Sequence, residues 1–185
     1  MNLDGPGRIE PMRALDYSYG PRPGYVAFDV ETASKDPFSV CAVGLAVIDG
    51  GRVVKRGSCL MRPPTPHFAY RCIHGIGAND LREKPAFHEF WPWLKQYFEN
   101  RFVMAHNADF DVSALRHALD AYGIPRPTLC YLCTQRLARR LWPDLDSYGL
   151  ARIAIHLGVD FRHRDPLRMR SPVLTLCYEG VTSLR

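Results

Sequence analysis

The stretch YVAFDVETAS, Tyr25 to Ser34, ends an apolar, β-prone run in two carboxylates, Asp29 and Glu31. On an extended strand residues i and i+2 share a side, so these two acids project together. Anions held side by side repel and raise one another's pKa. A divalent cation with oxygen ligands is the simplest offset, although a strand end opening into a solvated turn also accommodates the pair. A second group lies in MAHNADFDVSAL. Asp111 falls there in the first turn of a helix, where the helix dipole favours a carboxylate, so capping alone also explains it. His106 and Asn107 can hold a phosphate or a ribose by hydrogen bonds. Phe110 can pack beneath a base or fill the core, and the core is the preferred reading.

The elements around these groups are legible from pattern. A first strand runs from Tyr25 to about Val30. Two β-rich runs flank Asp49-Gly50-Gly51, a strong hairpin signal, so the first three strands form an antiparallel meander. A polar, Gly-bearing connection leads to AFHEFWPWLKQYFEN, where Phe87, Phe90, Trp91, Leu94 and Phe98 recur at helical spacing. Pro92 should kink that helix or sit in its first turn. RFVMAHN reads as a short strand. DFDVSALRHALDAYG reads as a helix with Val112, Leu115, Leu119 and Tyr122 on one side and Gly123 as its stop. TLCYLCT is a fifth strand, and TQRLARRLW and SYGLARIAIHLG are two further helices, the latter capped by Ser147. A hairpin-led sheet followed by alternating helices and strands is an α/β sandwich on a mixed five-stranded sheet.

The whole chain sets limits on these readings. Its 185 residues, 46% hydrophobic, suit one globular domain. Residues 1–24, rich in Gly, Pro and Arg, read as a flexible leader, 25–167 as the folded domain and 168–185 as an atypical C-terminal segment. No apolar run approaches the length of a membrane span and no secretory signal is seen. The expectation is a cytoplasmic protein with no membrane partner. The six cysteines, at 41, 59, 72, 130, 133 and 177, read as buried, reduced thiols. Cys130 and Cys133 form a C-x-x-C without a second pair at zinc spacing, and packing within LCYLC is expected of them. A formal net charge of +5 leans mildly toward a polyanionic partner. The basic runs RLARR and RHRDPLRMR are solvated faces or tracks for a phosphate backbone.

The two acidic clusters, in this order, resemble the DEDDh (DnaQ-like) 3′–5′ exonucleases, the family that includes the proofreading ε subunit of bacterial DNA polymerase III. FDVET, Phe28 to Thr32, is similar to that family's first motif and AHNADFD, Ala105 to Asp111, to its second. IHGI at Ile73–Ile76 resembles its intermotif signature, and LARIAIHLGV, Leu150 to Val159, the helix before its third motif. The resemblance implies a ribonuclease H-like fold and two divalent ions, Mg²⁺ or Mn²⁺, about 3.5–4 Å apart. It implies Asp29, Glu31 and Asp111 as metal ligands, with Thr32 and Asn107 at the terminal nucleotide; His106 and Phe110 complete the candidate substrate-binding set on the reading of the residues given above. It implies 3′–5′ removal of nucleotides from a single-stranded DNA or RNA 3′ end, with a DNA polymerase subunit as a candidate partner.

The third motif departs from the family pattern. A His followed five residues later by an Asp is expected, the His as general base. In FRHRDPLRMRSPVL, His163 is available, but the position five residues on is Arg168. The genetic code accommodates a shifted frame here. Leu167 to Arg170 can be written CTC AGG ATG CG, and one G after CTC gives Leu-Glu-Asp-Ala, which the family commonly shows. Codons at 168–170 that cannot yield Glu-Asp-Ala by such a shift would exclude this, and if it holds, the chain is a truncated form of a longer enzyme. A 3′–5′ exonuclease acting on DNA is therefore the leading expectation. A ribonuclease of the same family and a catalytically impaired nucleic-acid-binding or polymerase-accessory module are the alternatives.

Overall fold

A computed structural model describes residues 24–50, 52–99 and 101–158. Its sheet is the expected one: five strands in the order β3-β2-β1-β4-β5. Strands β1 (Tyr25–Thr32), β2 (Val40–Asp49) and β3 (Arg52–Leu60) form the antiparallel meander. Asp49 pairs with Arg52 across a two-residue connection in which Gly50 takes φ 55°, a conformation that glycine adopts without steric cost. Strands β4 (Phe102–Ala105) and β5 (Cys130–Cys133) lie parallel to β1. The segment joining them carries helix α4 (Ala108–Ala121).

The core lies where β1, β2 and β4 meet α4 and helix α3 (Phe87–Lys95). All but the last residue of β2 are buried, as both of its faces are covered. Helix α3 turns Phe87, Phe90, Trp91 and Leu94 inward, and Phe98 beyond its end meets Phe28 edge-to-face at 5.2 Å between ring centroids. Pro92 is neither in the first turn nor the end of this helix. It sits in the interior on the exposed side, where water can reach the carbonyl that its missing N–H leaves without a helical donor. Helix α4 stops as expected. Gly123, at φ 62°, donates to the Asp120 carbonyl and Ile124 to that of Leu119, the paired bonds of a Schellman cap.

Several expectations are corrected. The connection before α3 holds two short helices, α1 (Arg71–His74) and α2 (Ala78–Leu81), too brief to carry a period. Helix α5 (Thr134–Leu141) is followed by α6 (Leu150–His156). Ser147 does not cap α6. The N-cap is Gly149, and the Ser147 hydroxyl accepts the Gly149 amide two residues on, in a local turn. Of the cysteines described, 41, 59 and 133 are buried, whereas 72 and 130 are exposed. LCYLC does not pack throughout because β5 is an edge strand, leaving Tyr131 and Leu132 about two-fifths exposed. Phe110 is not core: it is 45% exposed. The segment read as a leader lies outside the described residues except for Gly24, which is buried and where a Cβ would come within 3.1 Å of the Ile48 carbonyl. The segment 168–185 also lies outside them.

Candidate active site

β1 and β4 run in the same direction, so their C-terminal ends reach the same edge of the molecule. Their pairing stops at Ala27 with Met104, and beyond it the β1 backbone has no strand on that side. The first turn of α4 fills the gap. Asp111, 2% exposed, accepts the Val30 amide at 2.9 Å through Oδ1. That amide is the peptide link between Asp29 and Val30, so the acid of the second cluster sits within one peptide unit of the acids of the first. This side-chain bond to backbone, which no sequence period announces, seats Asp111 against the strand end that carries Asp29 and Glu31.

Among the described residues, burial and mutual repulsion dominate the electrostatics of these acids. Burial pushes the Asp29 carboxyl up to about 6. Burial, then the Asp29 charge, pushes Glu31 up to about 7. Burial, then Asp29, and more weakly Glu31, push Asp111 up to about 8 against the opposing pull of the Val30 amide. Among the described residues no Lys, Arg or His lowers any of the three. Perturbed acids with no counter-charge are characteristic of functional sites. Among the described residues no group of three His, Cys, Asp or Glu side chains is placed so that, as it stands, it could hold a metal ion. The donors nevertheless fit a hard divalent cation in kind and in charge, since all are carboxylate oxygens.

The surrounding residues fall into two sets. Thr32 is 2% exposed and follows an irregularity in the β1–β2 register between Glu31 and Thr32. Such bulges re-aim side chains beside active sites. His74 anchors this strand end: its Nδ1 accepts the Ile76 amide at 3.1 Å, so the neutral ring carries its proton on Nε2 and donates to the Thr32 carbonyl, also at 3.1 Å. The intermotif histidine therefore shapes the strand end. Asn107 is the one non-glycine residue at positive φ, 61°, among those described, and its exposed side chain makes no capping bond. Asn tolerates this conformation better than most residues, and its amide is left available.

His106 is where the sequence reading fails. Both ring nitrogens are engaged within the protein, Nδ1 with the Thr134 hydroxyl at 3.1 Å and Nε2 with the Tyr148 carbonyl at 3.0 Å. Neither remains for a phosphate or ribose. Phe110 is displaced from the expected core onto the surface one residue before Asp111. Asp109 is bound by Arg136 and by the Tyr131 hydroxyl. His163 lies outside the described residues.

The likenesses to known proteins agree with this geometry. A family profile described as Exonuclease, of the RNase T type, matches residues 26–164. The chain is 29% identical over 145 residues to DNA polymerase III PolC-type of Clostridium perfringens, covering 75% of this chain and 10% of that protein. It is 26% identical over 152 residues to the 3′-5′ exonuclease DinG of Bacillus subtilis, covering 80% of this chain and 16% of that one. The chain thus spans a small part of these relatives. Among solved structures, the nuclease domain of 3′hExo, described as a DEDDh family member bound to rAMP, superposes with a TM-score of 0.73 at 10% identity, covering 89% of this chain and 93% of that one. At that identity the superposition speaks for the fold alone, which is the ribonuclease H-like architecture expected.

Proposed function

The chain belongs to the RNase T-type exonuclease family, and from that premise we propose that it hydrolyses phosphodiester bonds at the 3′ end of single-stranded DNA, with 3′–5′ polarity, in a proofreading or repair setting. The observation that supports this reading is the Val30 amide on Asp111, which seats Asp111 against the strand end bearing Asp29 and Glu31, with all three carboxyls pushed up by burial. Asp29, Glu31 and Asp111 are the residues that would hold Mg²⁺ or Mn²⁺. Ions bound there would supply Lewis-acid charge to the attacking water and to the departing 3′ oxygen. The chain's own contribution is positional. The Val30 N–H fixes one oxygen of Asp111 and leaves the other for the site. Thr32, at the end of β1, and Asn107, in the left-handed turn before α4, are the polar residues assigned to the terminal nucleotide on the resemblance. His163 is assigned the role of general base on the resemblance.

DNA is favoured over RNA by the name of the PolC-type DNA polymerase III relatives, and a polymerase subunit is the partner that name suggests. The incomplete third motif, with Arg168 where a carboxylate is expected, favours as second reading a nucleic-acid-binding module with lost catalysis.

The test is to incubate the protein with 3′-labelled single-stranded DNA and RNA oligonucleotides in Mn²⁺ or in EDTA. Metal-dependent release of labelled mononucleotides from DNA, abolished by Asp29→Asn, is expected. Release from RNA alone would redirect the substrate to the ribonuclease reading. Binding without release, indifferent to Asp29→Asn, would replace the enzyme by the binding module.

A further inference from the structure

The α5–α6 unit is bound to the sheet by little apolar contact. It has a small core of its own, Ala138, Ile153 and Ala154 with Trp142, Tyr148 and Leu157 against them, separate from the main core. Leu150 is the side chain that this cluster shares with the sheet, where it packs beside Ala27, Ala46, Ile48 and Met104. The remaining attachment is polar: at the surface Arg136 of α5 binds Asp109 in the first turn of α4, the Thr134 hydroxyl lies 3.3 Å from the Ala105 carbonyl, and in the half-buried interior two bonds meet at one ring. His106, directly after β4, meets Thr134 at the first position of α5 and the Tyr148 carbonyl just before α6. Gln135 reaches the same carbonyl at a longer 3.4 Å. On its other side His106 is bonded to Asn107, whose left-handed conformation aims the chain into α4 and hence aims Asp111 at Val30.

We propose that His106 is a positioning residue: by clasping the start of α5 and the approach to α6 it fixes the β4–α4 turn, and through it the Asp111 carboxylate. The neutral ring donates from Nε2 to the Tyr148 carbonyl, and its Nδ1 accepts the Thr134 hydroxyl proton, which is shared with the Ala105 carbonyl at 3.3 Å. Released from this clasp, the strained turn at Asn107 can relax, and Asp111 one helical turn later moves with it. A displacement of about 1 Å at a catalytic group is enough to cost on the order of 10²-fold in rate. The clasp should therefore act on turnover and hardly on substrate affinity.

The kinetic arm of the test rests on the nuclease reading and the structural arm does not. Gln places an amide nitrogen near the position of Nε2 and keeps the Tyr148 bond; Asn places its oxygen near Nδ1 and keeps only Thr134. His106→Asn should lower kcat by about 10- to 100-fold, with KM within about twofold, and His106→Gln should restore kcat to within about threefold of the wild type, both measured per folded molecule. In parallel, hydrogen exchange at the Val30 amide, which is bonded to Asp111, should lose at least about tenfold protection in His106→Asn and keep it in His106→Gln. If the wild type releases no nucleotide, the proposed function has failed, and the Val30 amide alone decides the present inference. Unchanged Val30 protection in His106→Asn, or equal effects of Asn and Gln, would overturn it.

Discussion

Replacing Asp111 by Asn should make the metal-free protein more stable, and the size of the gain follows from its surroundings. Asn keeps an oxygen for the Val30 amide at 2.9 Å and removes the charge. The Asp111 carboxyl titrates at about 8 in the fold, against an ordinary value of 3.8. A carboxyl whose folded pKa is raised favours the fold most below its unfolded pKa, and the fold loses stability as pH climbs from there toward the raised value. Between 3.8 and pH 7 the wild type forfeits about 1.4 kcal/mol per unit, or about 4 kcal/mol in all. The new amide N–H₂ lacks an assured partner, which costs about 1 kcal/mol. The net gain is about 3 kcal/mol, or roughly 6–12 °C in Tm for a chain of this size. Urea unfolding in EDTA at pH 4, 7 and 8.5 measures it. The advantage of Asp111→Asn should be absent or reversed at pH 4, clear at pH 7 and largest at pH 8.5. A variant less stable than the wild type at pH 7, or a difference that does not change with pH, would refute the reasoning.

Other consequences follow from the same structure. Asp29→Asn and Glu31→Gln should each lower metal-dependent nucleotide release by about 10²-fold or more while leaving the fold intact by circular dichroism. Because ligating carboxylates must be deprotonated and the three acids titrate near 6, 7 and 8, Mn²⁺ affinity should keep rising from pH 6 to pH 8 in calorimetric titrations, where ordinary carboxylates would have levelled off by pH 5.5. Phe98→Ala, which removes a ring 1% exposed and set edge-to-face on Phe28, should cost about 3–5 kcal/mol in urea unfolding. Gly123→Ala forces a Cβ into φ 62° at the end of α4 and should cost about 1 kcal/mol in the same assay.

What the sequence revealed and what it hid divide along a physical line. Short-range signals were legible. Asp49-Gly50-Gly51 specified the first hairpin, the aromatic spacing of 87–98 specified the buried stripe of α3, and Gly123 ended α4 as expected. The two acidic clusters suggested chemistry only in combination and order, because a solvated strand end or a helix cap explains either one alone. Features that depend on which element lies beside which were not legible. LCYLC has the composition of a buried strand, yet its exposure is set by its place at the sheet edge, and strand order is not written in a four-residue run. Phe110 looked like core because helical spacing alone does not say which face of α4 is covered. His106 offered two nitrogens to a substrate only so long as Thr134 and the Tyr148 carbonyl, 28 and 42 residues away in sequence, could not be placed beside it. Ser147 had the right residue type for a cap but lies two residues before the turn that forms one. The Val30–Asp111 bond, which unites the site, links backbone to side chain across 81 positions and has no sequence signature.

The central claim is that Asp29, Glu31 and Asp111 form a divalent-cation site. Electron paramagnetic resonance of Mn²⁺ titrated into the protein at pH 8, with Asp29→Asn alongside, tests it most directly. Saturable quenching of the free Mn²⁺ signal by the wild type, weakened at least about tenfold in the variant, is the expected result. Equal Mn²⁺ signals with and without the wild-type protein, or quenching that Asp29→Asn leaves untouched, would contradict it.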